Sequence, residues 1–340
     1  MISPVVSIIM PSKNRAYILP RSIGSIQKQT FKDWELLVID DGSTDNTKEL
    51  ILQYQSKDAR IKYFSDINRL GPAGARNIGL EKSTGEFIAF LESDDEWLLN
   101  SFLEDSITAL EKSQFNICLS LFSREKDGVV TNLYKKSADK LIEGLKPFSK
   151  DGIFYFENKR FAEFIILNWL IFYHLSGTII RRNVISEIGL FNESLRQADD
   201  TEFVFRILTN YDSVCFINKY CFIWHQSVDS LLNFDTNKIS EKEARQRIIT
   251  HKSYEIKMLE AMREDMLGSE YVAKKRACDI IISRRKGELY YELSWLYRKN
   301  TDIRALKYAA ISLMFGLNLL KVKYILSLVK SLTFRKPGRI

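Results

Sequence analysis

The run from Phe87 to Trp97 constrains the fold more than any other stretch of this chain. Five apolar residues, Phe87–Leu91, are typical of a buried strand, and four acids follow within the next five positions. Strands that are apolar on both faces occur in parallel sheets covered by helices. In open α/β sheets, ligands bind at the carboxyl ends of the strands. The run therefore predicts a carboxylate cluster in a ligand-binding crevice.

Clustered carboxylates raise one another's pKa values and destabilise a fold unless a partner neutralises them. Mg²⁺ or Mn²⁺ would do so, because these cations prefer oxygen ligands and keep coordination sites for phosphate. The alternative is a solvated acidic turn before a helix predicted from about Trp97 to Lys112. The cluster by itself does not decide between a metal site and such a turn.

Apolar runs alternate with helical stretches along the first 122 residues. The predicted strands are Val5–Met10 (stopped by Pro11), Trp34–Ile39, Ile61–Phe64, Phe87–Leu91 and Asn116–Phe122. A helix over 46–55 would have Ser43 or Thr44 as its N-cap, and a glycine-rich loop at 68–77 opens another. This alternation predicts a doubly wound, mostly parallel α/β sheet. One rim of that sheet should then carry the acids that end two of its strands, namely Asp40, Asp41, Glu92, Asp94 and Asp95.

The rest of the chain is less regular. Residues 123–160 carry many charges without a clear period, and we interpret them as an excursion over the site. A helix is predicted over 161–173, a strand over 175–180 and helices from about residue 238 onward, with a hairpin over 284–320. We predict a catalytic domain over 1–235, with a nucleotide half (about 1–122) and an acceptor half (about 123–235), followed by a helical region over 236–340.

The net charge of +7 belongs to the C-terminal end of the chain. Eight basic residues and one acid lie between 300 and 340, so the preceding residues sum to zero. Basic residues interleaved with Leu, Ile and Phe favour an anionic membrane surface over nucleic acid. The uncharged runs among them are too short to span a bilayer. We therefore predict peripheral attachment to a membrane; a helical oligomerisation surface is the alternative.

Cysteine usage and the first residues bear on the compartment. The four cysteines show neither CxxC spacing nor the density of a disulfide framework, which favours a reducing setting. The first apolar run follows Met1 without the basic region of a signal peptide. We expect a cytoplasmic protein on the inner face of the cell membrane. Three histidines argue against a zinc site built on imidazoles.

Five motifs occur in order along the chain: Val6–Pro11, Asp40–Asp45, Gly71–Asn77, Phe90–Asp95 and Asp199–Asp200. Their order and spacing resemble the family 2 glycosyltransferases of GT-A fold over roughly residues 3 to 230. The resemblance implies an inverting, metal-dependent hexosyltransferase that uses a nucleotide sugar and Mn²⁺ or Mg²⁺. It also implies a saccharide acceptor, which we expect to be lipid-linked and to belong to surface polysaccharide biosynthesis.

The resemblance assigns roles to residues of this sequence. The donor nucleotide would contact Pro11, Ser12, Asn14, Asp41, Arg76, Asn77, Glu92 and Ser93, with Asp41 on the base. The metal would be bound by Asp94, with His225 placed where some members have a residue near the metal or diphosphate. The catalytic base would be Asp200, and the secondary candidates are Asp40, Asp95 and Asp199. Alternatives stay open: Arg76 as an ion-pair partner of the rim acids, His225 as a packed histidine, and Asp200 as a helix N-terminal acid.

Two positions depart from the family pattern. Glu92 stands where Asp is usual, so its carboxylate reaches one methylene further, and Asp199 replaces the more usual Glu beside the base. The residue types suit the chemistry, because a cation neutralises a diphosphate leaving group and one carboxylate can accept the proton of the acceptor hydroxyl.

Two further questions concern the donor and the class of protein. UDP is expected as the nucleotide on family frequency alone, and GDP and dTDP stay open. The alternative class is a non-catalytic, membrane-associated saccharide-binding or partner subunit that keeps the fold.

Overall fold

The computed structural model describes residues 3–65, 71–158, 160–170, 173–226, 240–270, 272–298, 302–316 and 319–333. The chain divides into two compact units. The first comprises Met1–Ser227 with Gly268–Ala273, and the second comprises Val228–Leu267 with Lys274–Ile340. The boundary that we predicted at residues 235 and 236 lies outside the described residues.

Within the described ranges of the first unit, eleven strands form one sheet. They are β1 (Val6–Ser12), β2 (Trp34–Asp40), β3 (Ile61–Ser65), β4 (Phe87–Phe90), β5 (Glu96–Trp97), β6 (Ile117–Lys126), β7 (Val129–Asn132), β8 (Phe148–Lys150), β9 (Ile153–Phe156), β10 (Thr178–Arg181) and β11 (Val214–His225). Their order is β3-β2-β1-β4-β10-β6-β11-β9-β8, with β5 on β11 and β7 on β6. β1 to β4 pair in parallel, as do β6 and β11, and β10 is antiparallel to β4 and β6.

Helices cover both faces of this sheet. In the first unit they are α1 (Leu19–Gln27), α2 (Thr47–Lys57), α3 (Pro72–Lys82), α4 (Phe102–Ser113), α5 (Lys135–Leu145), α6 (Phe161–Asn168), α7 (Val184–Ile188) and α8 (Asp199–Asn210). Alternate residues of β2 enter different clusters: Val38 shares one with Ile8 of β1 and Ile23 of α1, whereas Leu37 shares another with Ile78 of α3. Burial on both faces explains why these strands are mostly apolar. The predicted fold class, a doubly wound mixed sheet with a helical C-terminal region, is confirmed.

The second unit is helical in its described residues. It contains α9 (Glu241–Gly268, of which Gly268 belongs to the first unit), α10 (Lys275–Arg298), α11 (Arg304–Met314) and α12 (Leu319–Thr333). Aromatic side chains pack these helices together: Tyr290 of α10 stacks on Tyr308 of α11, and Trp295 of α10 stacks on Tyr324 of α12. Among the helices described in either unit, none is long and apolar enough to cross a membrane.

The predicted end of the first strand was wrong, because β1 continues through Pro11 to Ser12. Proline lacks the N–H that a central strand needs for its ladder. Here β4 pairs with β1 only as far as Ile9, so beyond that residue β1 has a partner on the β2 side alone. The ring of Pro11 is therefore tolerated inside the strand.

The predicted start of the fourth helix was also wrong. Trp97 lies in the short strand β5, where it pairs with Phe222 of β11, and α4 begins only at Phe102. Sequence patterns did not predict β11 itself, nor the strands and the helix within 123–160. The strand predicted over 175–180 is a 3-10 turn, Leu175–Gly177, followed by β10.

Gly79 allows α3 to approach β1 closely. A Cβ atom at this position would lie 2.4 Å from Cγ2 of Ile9. We expect Gly79→Ala to lower the free energy of unfolding by about 1–3 kcal/mol, because overpacking a buried contact outweighs the better helix propensity of alanine. Urea unfolding followed by circular dichroism measures the change.

Gly24 of α1 supplies a matched control for that prediction. A Cβ atom there would meet no described atom within 4 Å. Gly24→Ala should therefore stabilise the protein by up to about 1 kcal/mol, since alanine loses less backbone entropy on folding. Equal effects of the two substitutions would contradict the close packing of α3 on β1.

Candidate active site

The loops that follow β1 and β2 lie side by side and are joined by hydrogen bonds. Asn14 adopts a left-handed backbone (φ +53°). Its side-chain Oδ1 accepts a bond from the Thr44 backbone amide at 2.7 Å, and its backbone amide donates to Oγ of Ser43 at 2.8 Å. Ser43 and Thr44 were predicted as N-caps of α2, but its N-cap is Asn46. The two residues instead join the loops.

Asp40 and Asp41 leave the end of β2 with different partners. Asp40 accepts bonds from the Ser43 amide at 2.8 Å and from the Tyr63 hydroxyl at 2.7 Å. Burial, together with this carboxylate, raises the pKa of Tyr63 to about 12. Asp41 accepts a bond from the Gly71 amide at 2.7 Å, and its other oxygen lies 3.5 Å from Nζ of Lys13. Asp40 thus stabilises its own turn, whereas Asp41 faces the opening between the loops and α3.

Ser12 ends β1 beside these loops. Its hydroxyl is buried and has no hydrogen-bond partner among the described residues. A buried polar group without a partner costs free energy, so such groups mark places where a water or a ligand supplies the missing bond. The neighbouring Pro11 is buried as well.

The acids that follow β4 occupy distinct environments. The carboxylate of Asp95 is buried and accepts bonds from Oγ of Ser176 at 2.6 Å and from the His225 amide at 3.3 Å. Burial raises its pKa well above the ordinary range, and the charges of Asp94 and Glu92 add to that effect. The Asp94 carboxylate is 21% exposed and lies 3.4 Å from Nη2 of Arg15. Asp94 is therefore the member of this pair that is accessible from the crevice.

Ser93, between Glu92 and Asp94, is buried and fixes the turn through its backbone. Its carbonyl oxygen accepts a bond from Oγ of Ser22 at 2.9 Å, and the carbonyl of Asp94 accepts one from Nη2 of Arg21 at 2.6 Å. Both donors lie on α1. The backbone of the acidic turn is thus held by the helix that follows β1.

Arg76 connects the acidic turn to the start of α8. Its buried guanidinium donates to Oε1 of Glu92 (2.8 Å from Nη2) and to Oδ2 of Asp199 (2.5 Å from Nη1). Burial opposes the positive charge, but the neighbouring carboxylates outweigh it and raise the pKa of Arg76. Burial also raises the pKa of Asp199 to about 6, against the lowering effect of Arg76. The geometry agrees with the ion-pair alternative for Arg76.

Asn77 makes the second connection between α3 and the segment before α8. Its side-chain amide donates to the carbonyl of Phe191 at 3.0 Å and to Glu193 at 2.8 Å, and its Oδ1 accepts a bond from the Phe191 amide. The side chain is buried. In this structure Asn77 therefore contacts protein, and its predicted contact with a nucleotide stays a prediction.

Asp200 lies in the first turn of α8. Its Oδ1 accepts a bond from the Thr201 amide at 2.7 Å, and the residue is half-buried. Negative charge at a helix N-terminus is stabilised by the helix dipole. The helix therefore favours a charged, partly exposed carboxylate at Asp200, one residue after the Asp199 that Arg76 binds.

His174 lies close to Asp95, although no role was predicted for it from the sequence. Its Nδ1 accepts a bond from the Ser176 amide at 3.2 Å and lies 3.9 Å from Oδ2 of Asp95. Burial lowers the pKa of the imidazole, with the charge of Asp200 as the largest opposing influence. The ring packs against Phe122 and Phe222. The sequence offered one indication of this residue, namely a histidine inside the uncharged run over 164–180.

His225 ends β11 between two carboxylates. Its Nε2 lies 3.0 Å from Oε1 of Glu96, and its Nδ1 lies 3.1 Å from Oε2 of Glu125. Glu125 has a lowered pKa because the Gly128 amide and His225 stabilise its charge. Both ring nitrogens are hydrogen-bonded in this arrangement, and a role near a metal stays a prediction.

A metal in this crevice would meet mainly carboxylate oxygens. Among the described residues, no three histidine, cysteine or acidic side chains converge on one point. Burial is the main cause of the raised pKa of Asp95, and the nearby charge of Asp94 adds to it. Mg²⁺ commonly binds through one or two carboxylates together with substrate phosphates and water. Carboxylate oxygens of this kind fit a hard cation that arrives with a diphosphate, and the accessible Asp94 would be its protein ligand.

Comparison with solved structures identifies the architecture. A fragment of TarS from S. aureus in complex with UDP superposes with a TM-score of 0.61 at 16% identity, over 98% of this chain and 93% of that one. The mannosyltransferase PcManGT from Pyrobaculum calidifontis, with GDP-Man and Mn²⁺, gives 0.56 at 16% identity, over 99% and 82%. At these identities the likeness concerns the fold, which is GT-A.

Curated relatives share more sequence. One is the GalNAc(5)-diNAcBac-PP-undecaprenol beta-1,3-glucosyltransferase of Campylobacter jejuni, 39% identical over 47% of this chain and 55% of that protein. Another is the UDP-Glc:alpha-D-GlcNAc-diphosphoundecaprenol beta-1,3-glucosyltransferase WfgD of Escherichia coli, 46% identical over 33% and 43%. The chain spans about half the length of the curated relatives it matches.

The match to a family model is the broadest of these sequence findings. The model described as Glycosyl transferase family 2 matches residues 7–189, more than half of the chain. This range includes all of β1 except Val6, the acidic turn after β4 and Arg76. The resemblance stated from the five motifs is therefore confirmed, and the chain belongs to glycosyltransferase family 2.

Proposed function

We propose that this chain is an inverting, metal-dependent glycosyltransferase that moves a hexose from a UDP-sugar to a hydroxyl group of a lipid-linked saccharide. One observation carries the proposal. The Arg76 guanidinium binds Glu92, two residues before Asp94, and Asp199, one residue before Asp200. We infer from this link that a metal-side carboxylate and a second carboxylate on another element would border one crevice, the arrangement that single displacement at an anomeric carbon requires.

The donor half of the proposal rests on the rim formed by β1 and β2. Asp41 would bind the base and the orphaned hydroxyl of Ser12 would bind the nucleoside, with Pro11 and Asn14 shaping the loop around it. Glu92 and Ser93 would lie at the ribose side. The name of the Escherichia coli relative includes UDP-Glc, which supports UDP as the nucleotide and glucose as the first sugar to test.

The chemical roles divide between two carboxylates. Mn²⁺ or Mg²⁺ held by Asp94 would supply charge neutralisation for the diphosphate leaving group. Asp200 would accept the proton of the acceptor hydroxyl as that oxygen attacks the sugar. Arg15, 3.4 Å from Asp94, would add positive charge on the donor side. His225, between Glu96 and Glu125, would keep the β11 end of the crevice in place.

Calorimetric titration of the full chain with UDP-, GDP- and dTDP-glucose, each with and without Mn²⁺, tests the donor assignment. We expect UDP-glucose to bind, and Mn²⁺ to strengthen its binding. Radiolabelled UDP-glucose with a polyprenyl-diphosphate-linked saccharide then tests transfer. Binding without any turnover would favour a non-catalytic subunit that keeps the fold, and absence of binding by all three donors would contradict the site itself.

The acceptor proposal includes attachment of the second unit to the cytoplasmic face of a membrane. Leu320 and Leu326 of α12 are 70% and 65% exposed, and Lys323 between them is exposed as well. An interfacial helix combines such apolar and basic side chains. The other basic residues behind the prediction include Arg335, Lys336 and Arg339, which lie outside the described residues.

Charge reversal at Lys323 tests this attachment. Lys323→Glu should lower binding to vesicles that contain phosphatidylglycerol by about tenfold, because each basic residue near an anionic surface contributes on the order of 1 kcal/mol. Vesicle flotation measures the change, and Lys150→Glu, at an exposed lysine of β8, is the control. Self-association of the wild type without flotation would instead support the oligomerisation alternative.

A further inference from the structure

Glu92 and Asp199, the two positions that depart from the family pattern, bind the same side chain. Arg76 donates to Oε1 of Glu92 from Nη2 at 2.8 Å and from Nε at 3.2 Å. It donates to Oδ2 of Asp199 from Nη1 at 2.5 Å. The edge of the guanidinium that carries Nε and Nη2 thus binds the turn after β4, and Nη1 binds the first turn of α8. The longer acid lies on one side and the shorter acid on the other.

The guanidinium cannot easily shift toward either acid. Its carbon lies 5.6 Å from the ring centre of Phe191, and that ring stacks on Phe203 of α8 at 3.8 Å and meets the edge of Phe90 at 5.7 Å. The backbone of Phe191 is in turn bound by the amide of Asn77, the residue after Arg76. Packing therefore fixes the position of the guanidinium, and the two carboxylates have to reach it.

The lengths of the two acidic side chains consequently decide how far apart their backbones lie. One methylene adds about 1.5 Å of reach. An aspartate at 92 would fall short of Arg76 by about that distance, and a glutamate at 199 would push against it. Exchanging both residues keeps the total length of the bridge constant, whereas exchanging one changes it. Because Glu92 precedes Asp94 by two residues and Asp199 directly precedes Asp200, the bridge spans the two proposed functional carboxylates.

We propose that Glu92 and Asp199 are a length-matched pair, through which Arg76 sets the spacing between Asp94 and Asp200. This inference rests on the proposed function for the roles of Asp94 and Asp200, but the matched pair itself is a property of the fold. Glu92 and Asp199 act here as positioning residues, and Arg76 is the link between them.

A double-mutant cycle on the full chain tests the pair. Glu92→Asp and Asp199→Glu should each lower kcat by about 10²-fold, since a displacement of roughly 1 Å between reacting groups has that effect. Each should also lower Tm by several degrees, because a hydrogen bond to a buried charge is lost or strained. The exchange of both residues should restore kcat to within about tenfold of the wild type, and should restore most of the loss in Tm.

The readouts separate positioning from a purely structural role. Rates are measured well below the Tm of every variant, and the affinity for UDP-glucose is measured by calorimetry. A purely structural bridge would lower Tm and leave kcat of the folded protein unchanged. Arg76→Lys in the wild-type and exchanged backgrounds is the control, because lysine keeps the charge but cannot bind both carboxylates with a planar fork. With lysine at position 76, exchanging Glu92 and Asp199 together should no longer restore kcat or Tm.

The outcomes distinguish this inference from the proposed function. Additive losses in the doubly exchanged variant, in Tm and in kcat, would overturn the length-matched pair. Unchanged kcat in both single variants would overturn the role of the pair in setting the spacing between Asp94 and Asp200. If the wild type transfers no sugar from any donor, the proposed function fails, and the Tm cycle alone then decides: restoration supports the matched pair, and additivity overturns it.

Discussion

Replacing Asp200 with asparagine should lower the rate of sugar transfer by about 10²–10⁴-fold, the usual contribution of a general base. The amide keeps the shape of the side chain, and its oxygen can still accept the bond from the Thr201 amide, which measures 2.7 Å in the native protein. It cannot accept a proton from the acceptor hydroxyl. Initial rates at saturating acceptor measure the effect on transfer. Calorimetry measures the affinity for UDP-glucose separately.

Asp212→Asn provides the matched control for this substitution. Asp212 follows α8 and accepts a bond from the Ser213 hydroxyl at 3.2 Å, so its replacement tests the loss of a carboxylate outside the crevice. Transfer by this variant should stay within about twofold of the wild type, as expected for a surface change of less than about 0.5 kcal/mol. Transfer by Asp200→Asn at the wild-type rate would contradict the assignment of the base and leave Asp200 as a helix N-terminal acid.

Replacing Asp94 with asparagine should remove the effect of Mn²⁺ on UDP-glucose binding. The carboxylate is the accessible member of the acidic turn, and an amide is a weaker ligand for a hard cation. We expect the affinity of the variant to be nearly equal with and without Mn²⁺, and its transfer rate to fall by about 10²-fold or more, because several kcal/mol of charge stabilisation are lost. Paired titrations at one ionic strength give the comparison.

The control here is Asp139→Asn on α5, where the aspartate forms an exposed ion pair with Lys135 at 2.7 Å. An exposed pair of this kind contributes about 0–1 kcal/mol to stability, and the variant should retain the full Mn²⁺ effect. A full Mn²⁺ effect in Asp94→Asn would show that the cation is held by other groups. An altered affinity in the absence of metal would instead indicate a change in the donor pocket itself.

The sequence predicted where the acids lie, but not which of them is accessible. Asp40, Asp41 and the turn after β4 lie at the ends of strands that run parallel, and parallel topology brings strand ends to one edge. The burial of Asp95 depends on Ser176 and His225, which are 81 and 130 residues away. Such distant partners leave no local pattern, so the difference in burial between Asp94 and Asp95 emerged only from the fold, although the resemblance had assigned the metal to Asp94.

The same reason explains the elements that were missed. β11 is long because it pairs with β6, β9 and β5, and its sequence mixes polar and apolar residues according to those partners. Trp97 was predicted to begin a helix, yet its backbone pairs with Phe222 of β11. The partners of Arg76 lie 16 and 123 residues away, which is why the sequence left its role undecided between nucleotide contact and ion pair.

The hydrogen bonds between the loops after β1 and β2 bear on the thermodynamics of donor binding. Asn14 and Arg15 on one loop bind Ser43, Thr44 and Thr47 on the other. Ordering a mobile loop on association reduces affinity, and preorganisation removes that loss. A nucleotide that reaches this edge meets backbone already fixed by its neighbour. The entropy lost on binding should therefore come from the nucleotide rather than from ordering of the loops.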